Sequence, residues 1–325
     1  MIGKRFVATA PLGRVAIDIL EQAAPVEVSP TPDEETILGL MEGTIGLVCG
    51  GEVQITQRII NGGSELRVLG RSGVGYDSVD VEAATARGIP LVYAPVAGFA
   101  VAESALALLL ALVKQIPRGD QVVKSGQWRR RYDYHTGDLM EHTLGIVGLG
   151  RIGLRLAELV QPFNMRLLGY DPYVAGEGVK ALGIEQVGLD ELLLHSDYVS
   201  LHVFLSEETR GLINRERIAG MKRGAILINV ARGGVVESLD VLADALESGQ
   251  FGGTGLDVFP QEPPDASHRI FKHPRCLCAP HMAGSSELAV ERVLRSMASD
   301  MVAVVQGRRP QYCVNPQVFD EKRSG

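Results

Sequence analysis

Five charged or titratable residues in the second half of the chain follow short apolar runs. His202 comes after Tyr198–Leu201, Arg232 after Ala225–Val230, Asp257 and then Glu262 after Thr254–Leu256, and His281 after Cys276–Ala279. In open α/β sheets ligands bind beyond the carboxyl ends of the strands, so groups recurring at run ends mark one working edge. Singly, each has a structural alternative. His202 fits a satisfied core histidine, Arg232 a partner for a surface acid, and Glu262 an ordinary loop acid. Together they supply the groups needed to reduce a carbonyl beside a carboxylate. The planar fork of Arg232 can hold the carboxylate and polarise the carbonyl. Imidazole ordinarily titrates near neutrality, which makes His281 the natural proton donor to a forming alkoxide. Glu262 is the carboxylate that can orient the ring and stabilise its charged form. No G-x-S-x-G elbow, G-x-x-x-x-G-K-[ST] loop or H-E-x-x-H helix offers a competing chemistry.

A carbonyl reduction needs a hydride source, and the stretch Thr143–Asp171 supplies a place for one. It reads as an apolar strand, then Gly148-Leu-Gly150-Arg-Ile-Gly153, then a helical pattern, then a second strand ending in Asp171. In this motif the first glycine allows the sharp turn, the second lets backbone approach a pyrophosphate, and the third lets helix and strand pack closely. The open N–H groups and dipole at the helix start favour phosphate. An acid about 20 residues on is placed to accept hydrogen bonds from a ribose. Asp171 would also repel a 2′-phosphate, so NAD is expected rather than NADP.

These groups are carried by alternating strand and helix signals along the whole chain. In the first hundred residues the apolar runs are Phe6–Ala10, Val26–Ser29, Ile45–Cys49, Leu66–Leu69 and Ile89–Tyr93, with helical patterns at Arg14–Glu21, Asp33–Met41 and Ile55–Asn61. Such alternation predicts parallel pairing and doubly wound sheets. Glu103–Gln115 is apolar all round and predicts a helix buried between domains or in a dimer. Seven further runs follow, starting at Leu144, Leu167, Glu185, Tyr198, Ala225, Thr254 and Cys276, and Ser286–Val305 reads as a helix.

The 325 residues suggest two domains. With 32 basic and 39 acidic residues the net charge is −7, and no long basic block is present. That argues against nucleic acid or an anionic membrane as a partner. Arg129-Arg130-Arg131 reads as a solvated face. The four cysteines lack disulfide density and metal-ligand spacing, so no metal is expected, and Cys276 and Cys278 read as small buried hydrophobes on one face of a strand. The segment Met1–Pro11 lacks the apolar core of a signal peptide, and a reducing cytoplasm is the expected compartment.

Taken together, the motifs Gly70-Arg71-Ser-Gly-Val74-Gly75-Tyr-Asp77, Val101-Ala-Glu103, Gly148–Gly153, Leu201-His202, Asn229-Val230-Ala-Arg232-Gly-Gly, Gly255-Leu-Asp257, Glu262-Pro263 and Pro280-His281 run in one order over nearly the whole chain. In this the sequence closely resembles the D-isomer-specific 2-hydroxyacid dehydrogenases, which include phosphoglycerate dehydrogenases and glyoxylate and hydroxypyruvate reductases. The resemblance implies a Rossmann cofactor domain, residues 102–285, inserted into a discontinuous flavodoxin-like substrate domain, residues 1–101 and 286–325. It implies a cleft between the domains and a homodimer. Arg232, Glu262 and His281 would be catalytic. The backbone of Val74 and Gly75, with Arg232, would bind the substrate carboxylate. Gly148, Gly150, Arg151, Ile152, Gly153, Asp171, His202 and Val230 would contact NAD, and Asp257 its carboxamide.

The chain departs from the family pattern around the substrate. The loop Tyr93-Ala-Pro95-Val96-Ala-Gly98-Phe99 lacks the usual Asn and Pro-Gly and is a residue short, and Phe204 stands where a proline usually follows the histidine. Arg71 either holds a second anionic group, as in phosphoglycerate-type members, or braces its loop. No additional regulatory domain is expected after Gly325. Two alternatives keep the fold: an NADH-sensing binding protein like the family's corepressors, and oxidation of formate or phosphite, against which Glu262 in place of glutamine counts.

Overall fold

The computed structural model describes residues 3–51 and 53–320. Met1, Ile2, Glu52 and residues 321–325, which the expected domain ranges include, lie outside them. The chain forms two compact units, Met1–Ala97 with Ser286–Gly325, and Gly98–Ser285.

The first unit holds five parallel strands, β1 (Arg5–Ala8), β2 (Val26–Val28), β3 (Thr44–Cys49), β4 (Val68–Arg71) and β5 (Leu91–Val92), in the order β2-β1-β3-β4-β5. This is the flavodoxin-like order, whose switch point lies between β1 and β3. The central strand β3 is buried along its length, as expected where helices cover both faces. Three of the unit's short helices, starting at Glu34, Gln57 and Val81, begin on side-chain caps. Asp33 accepts from the Thr36 N–H at 2.9 Å and Asp80 from the Ala83 N–H at 2.9 Å, each satisfying a donor that a helix start leaves open. Ser286 caps the 19-residue helix Glu287–Val305, which packs against β4 and the helix Arg14–Leu20. The tail then returns to the sheet. Asn315 is 1% exposed, accepts from the Leu91 N–H at 2.8 Å and donates to the Ile89 carbonyl at 3.0 Å. A buried amide so satisfied ties the end of the chain to β5.

The second unit holds seven parallel strands, β6 (Thr143–Val147), β7 (Arg166–Tyr170), β8 (Ile184–Gln186), β9 (Tyr198–Leu201), β10 (Ala225–Asn229), β11 (Phe251–Leu256) and β12 (Cys276–Cys278). Their order is β12-β11-β10-β9-β6-β7-β8, the dinucleotide-binding arrangement with its switch point between β6 and β9. Both sheets are thus doubly wound and parallel, as the strand and helix alternation predicts.

Three expectations need correction. The apolar helix runs Gly98–Val113, starting earlier than predicted, and packs on β10, β11 and the helix Arg151–Val160 of its own unit. That packing buries Ala105, Leu108, Leu109 and Leu112, while Leu106 and Leu110 stay only partly buried within the unit. Strand β11 begins at Phe251 rather than Thr254, because Gly252 and Gly253 hide the period. Gly252 sits there because a Cβ would meet the Gly224 carbonyl oxygen at 2.4 Å. Cys278 is exposed and Cys276 half-buried, since β12 is a three-residue edge strand covered on one side only. The stretch after Gln115 contains a helix, Ile116–Lys124, whose Pro117 fits the first turn, where its missing N–H costs nothing. Arg129, Arg130 and Arg131 lie exposed, Arg131 resting over Trp128 at 4.9 Å, in keeping with a solvated face. Among the described residues no single helix is long and apolar enough to cross a membrane.

Candidate active site

The loop leaving β6 is shaped by three glycines with three different reasons. Gly148 has φ 97°, and a Cβ there would meet the His202 carbonyl carbon at 2.7 Å. Gly153 begins the inner face of the next helix, and its Cβ would lie 2.0 Å from the Gly148 carbonyl oxygen. Around Gly150 nothing lies within 4 Å of a Cβ, so the backbone is open to a ligand. No side chain caps the helix Arg151–Val160 at Gly150, which leaves its start available to a phosphate. Arg151 is exposed and Ile152 half-buried in the first turn. These features fit a dinucleotide pyrophosphate.

Asp171, just past β7, reaches back to this loop. Its Oδ2 accepts the Leu149 N–H at 2.8 Å, and its Oδ1 accepts those of Tyr173 and Val174 at 2.9 and 3.0 Å. The carboxylate is therefore fixed in place, with a lone pair remaining on Oδ2. On the neighbouring strand, the His202 backbone N–H donates to the Val147 carbonyl at 2.7 Å, and its Nε2 pairs with Ser200 Oγ at 2.9 Å. Its Nδ1 is buried with no partner among the described residues, and burial pushes the ring's pKa down to about 3. His202 is thus a neutral ring beside the glycine turn.

Three successive strands present the other groups. Arg232 follows β10, and the buried Asn229 shapes its turn. Asn229 Oδ1 accepts the Ala231 N–H at 3.0 Å, and its Nδ2 donates to the Arg232 carbonyl at 2.9 Å. Val230 is buried beside it, and the Arg232 guanidinium donates to the Ala231 carbonyl at 2.8 Å. Gly233 lets this turn meet the segment after β11, since a Cβ would lie 1.9 Å from the Phe259 carbonyl carbon. That segment carries Glu262. One carboxylate oxygen accepts the Phe259 N–H at 3.0 Å, and the other meets His281 Nδ1 at 2.6 Å. The short distance is that of a charge-assisted hydrogen bond.

Asp257 builds the turn that holds His281. It is 2% exposed, and its two oxygens accept the Met282 and Ala283 N–H groups at 2.8 and 3.0 Å. Its carbonyl accepts the His281 N–H at 2.8 Å, and His281 itself sits at φ 51°. Burial, the largest influence, raises the Asp257 pKa, against the lowering effect of the two N–H donors. The His281 side chain is half exposed and free to meet a substrate at Nε2, while Nδ1 is held by Glu262. The structure therefore brings Glu262 and His281 together, and sets Arg232 on the strand two places away. Sequence reasoning missed Asn229 and Gly233 as the residues that aim Arg232. A polar residue closing an otherwise apolar strand was the available signal for Asn229.

In the first unit, Arg71 at the end of β4 donates from Nε to the Gly75 carbonyl at 2.8 Å and from a terminal nitrogen to the Cys49 carbonyl at 3.1 Å. It braces its loop, whatever else it contacts. The N–H groups of Val74 and Gly75 donate to no acceptor among the described residues. Tyr93 packs edge-on between Tyr76 and Tyr312, with ring centroids 6.2 and 6.3 Å away. Phe204, in the second unit, is 66% exposed. Among the described residues no cluster of three or more His, Cys, Asp or Glu side chains is arranged for a metal ion.

Residues 106–283 match the NAD binding domain of the D-isomer specific 2-hydroxyacid dehydrogenases. The chain belongs to that family. Among curated proteins it is 36% identical over 318 residues to a D-3-phosphoglycerate dehydrogenase of Synechocystis, covering 96% of this chain and 57% of that one. A D-3-phosphoglycerate dehydrogenase of Methanocaldococcus jannaschii is also 36% identical, over 98% of this chain and 61% of its own length. The chain thus spans between about half and three fifths of the length of the curated relatives it matches. Among solved structures, a Thermus thermophilus protein superposes with a TM-score of 0.87 at 34% identity, covering 95% of this chain and 99% of that one. A D-lactate dehydrogenase of Aquifex aeolicus, complexed with NAD and lactic acid, gives 0.86 at 28% identity, over 96% and 99%. The glycine loop of this dehydrogenase-family chain is accordingly part of an NAD-binding domain.

Proposed function

We propose that the chain interconverts a small D-2-hydroxy acid and its 2-oxo acid with NAD(H), as a homodimer in a reducing cytoplasm. The observation that carries this reading is the 2.6 Å hydrogen bond between Glu262 and His281, on the same sheet edge as Arg232 and the glycine loop. NADH, held by Gly148, Gly150, Arg151, Ile152 and Gly153 at its phosphates and by Asp171 at the ribose, supplies the hydride. His202 and Val230 would also contact the cofactor, and Asp257, whose oxygens each accept one backbone N–H, would accept from its carboxamide.

Arg232 binds the acid and polarises its carbonyl, and Val74 and Gly75 hold the carboxylate through their N–H groups. His281 Nε2 delivers a proton to the forming alkoxide, and Glu262 fixes the ring and stabilises the imidazolium before that transfer. Arg71, anchored on the Gly75 and Cys49 carbonyls, is the residue assigned to a second anionic group of the substrate. Support for the homodimer comes from the family resemblance, and for the compartment from four free cysteines.

The test is NADH consumption with 2-oxo acids of increasing length and charge, alongside Arg232→Ala and His281→Ala. Full activity in both variants would overturn the assignment, and comparable rates with NADPH would contradict the role of Asp171. The formed Glu262–His281 pair supports turnover over cofactor sensing alone.

A further inference from the structure

Outside the candidate active site, Cys276 and Cys278 face the same side of β12, with their sulfur atoms 3.5 Å apart. Among the described residues the strand is the edge of its sheet and pairs only with β11, so one flank is uncovered by backbone. Cys278 is exposed, whereas Cys276 is half-buried and packs against the core that includes Phe259 and Ile270. Two thiols in contact, one accessible and one sheltered, are the parts of an attacking and a resolving cysteine. We propose that Cys276 and Cys278 form a reversible thiol–disulfide exchange site for small disulfides.

In the first step the Cys278 thiolate attacks one sulfur of a disulfide RSSR, whose S–S bond breaks. A mixed disulfide forms and one RS⁻ leaves, taking up a proton. Cys276 then gives its proton to solvent and attacks the Cys278 sulfur. The Cys276–Cys278 bond forms and the second RS⁻ leaves as a thiol. Two cysteines are oxidised and one small disulfide is reduced to two thiols. The hydrogen bond donated by Cys276 favours the Cys278 thiolate, and the same bond together with burial holds Cys276 protonated until it is needed. Two strand rises separate the Cα atoms by about 6.6 Å, at the long end of what a disulfide bridges. Such a bond is easily reduced, so the site responds to its surroundings rather than locking.

This inference is independent of the hydride-transfer reading and is tested without measuring activity. The full chain is equilibrated with buffers of reduced and oxidised glutathione, quenched with iodoacetamide, and digested with trypsin for mass spectrometry. Cys49, which is fully buried, and Cys313 serve as internal references. Wild type is expected to yield an unalkylated peptide linked internally between Cys276 and Cys278. Cys276→Ser should trap a stable mixed disulfide on Cys278, and Cys278→Ser should leave Cys276 at least about tenfold slower to react. A wild type that accumulates the mixed disulfide without the internal bond would overturn the proposal. So would alkylation of both thiols at every buffer ratio. Equal reactivity of the two serine variants would overturn the assigned order of attack, and thermal melts confirm that each is folded.

Discussion

At the β6–β7 side of the seven-stranded sheet, the candidate binding surface is made almost wholly of backbone. Gly148, Gly150 and Gly153 shape it by what they lack, and Asp171 contributes a carboxylate already tied to the Leu149 N–H. At the β10–β12 side the working groups are side chains, each held by a second residue that points at backbone. Asn229 aims Arg232, Asp257 turns the chain at His281, and Glu262 divides its oxygens between Phe259 and His281. The first construction recognises a constant chemical group, a pyrophosphate, and tolerates changes around it. The second must put single atoms in register with a reacting bond, so its tolerance lies in angles rather than in volume.

This contrast breaks most readily at the side-chain end. Replacing His281 by Ala should lower kcat about 10²- to 10⁴-fold, with NADH affinity and melting temperature nearly unchanged; equal losses in all three would erase the distinction. At the backbone end the order reverses. Gly153→Ala forces a Cβ against the Gly148 carbonyl oxygen and should cost about 3 kcal/mol of stability along with NADH binding. Gly150→Ala, with nothing near its Cβ, should keep the melting temperature and weaken only NADH binding, as followed by fluorescence titration. Asn229→Ala leaves buried backbone groups unpaired and should destabilise by about 1–3 kcal/mol. Its kcat should fall beyond what the melt explains, because Arg232 loses its aim.

His202 lies where the two constructions meet, and its effect depends on pH. A histidine in the unfolded chain titrates near 6.5, whereas burial holds folded His202 at about 3. Above the higher value both states are neutral and His202 makes no pH-dependent contribution. As pH falls from 6.5 towards 3, the unfolded chain binds a proton that the folded one does not, and stability declines. Melting temperatures of wild type between about pH 7 and pH 4 should therefore fall more steeply than those of His202→Gln. Parallel curves would mean that the ring is wetter than its burial implies.

What was legible in the sequence follows the same division. Gly148 and Gly153 could be assigned from the pattern alone, because a sharp turn and a close helix contact require glycine at those places. Arg232, Glu262 and His281 were visible as polar groups ending apolar runs. The supports were not visible, because a side chain that satisfies distant backbone leaves no local pattern. Asp257 reaches Met282 and Ala283 only after β11 and β12 pair with Leu256 beside Cys278. The exposure of Cys278 depends on β12 being an edge, and the placement of the helix Gly98–Val113 on which face of a sheet needed covering. Arg71 shows an intermediate case, since its brace on Gly75 and Cys49 joins two strands whose neighbourhood only the β3–β4 pairing creates.

The backbone of His281 carries one more consequence. At φ 51° an L side chain is held in the left-handed region at a cost of about 1–2 kcal/mol, which asparagine or glycine largely avoids. His281→Asn should therefore melt higher than wild type by the equivalent of about 1 kcal/mol while losing proton transfer. Heat tolerance and turnover then pull in opposite directions at a single position. A library screened for thermal robustness alone would drift toward an inert protein at this residue, and a screen for turnover would pull it back. A wild type that outlasts His281→Asn in a melt would show that the surrounding turn repays the strain.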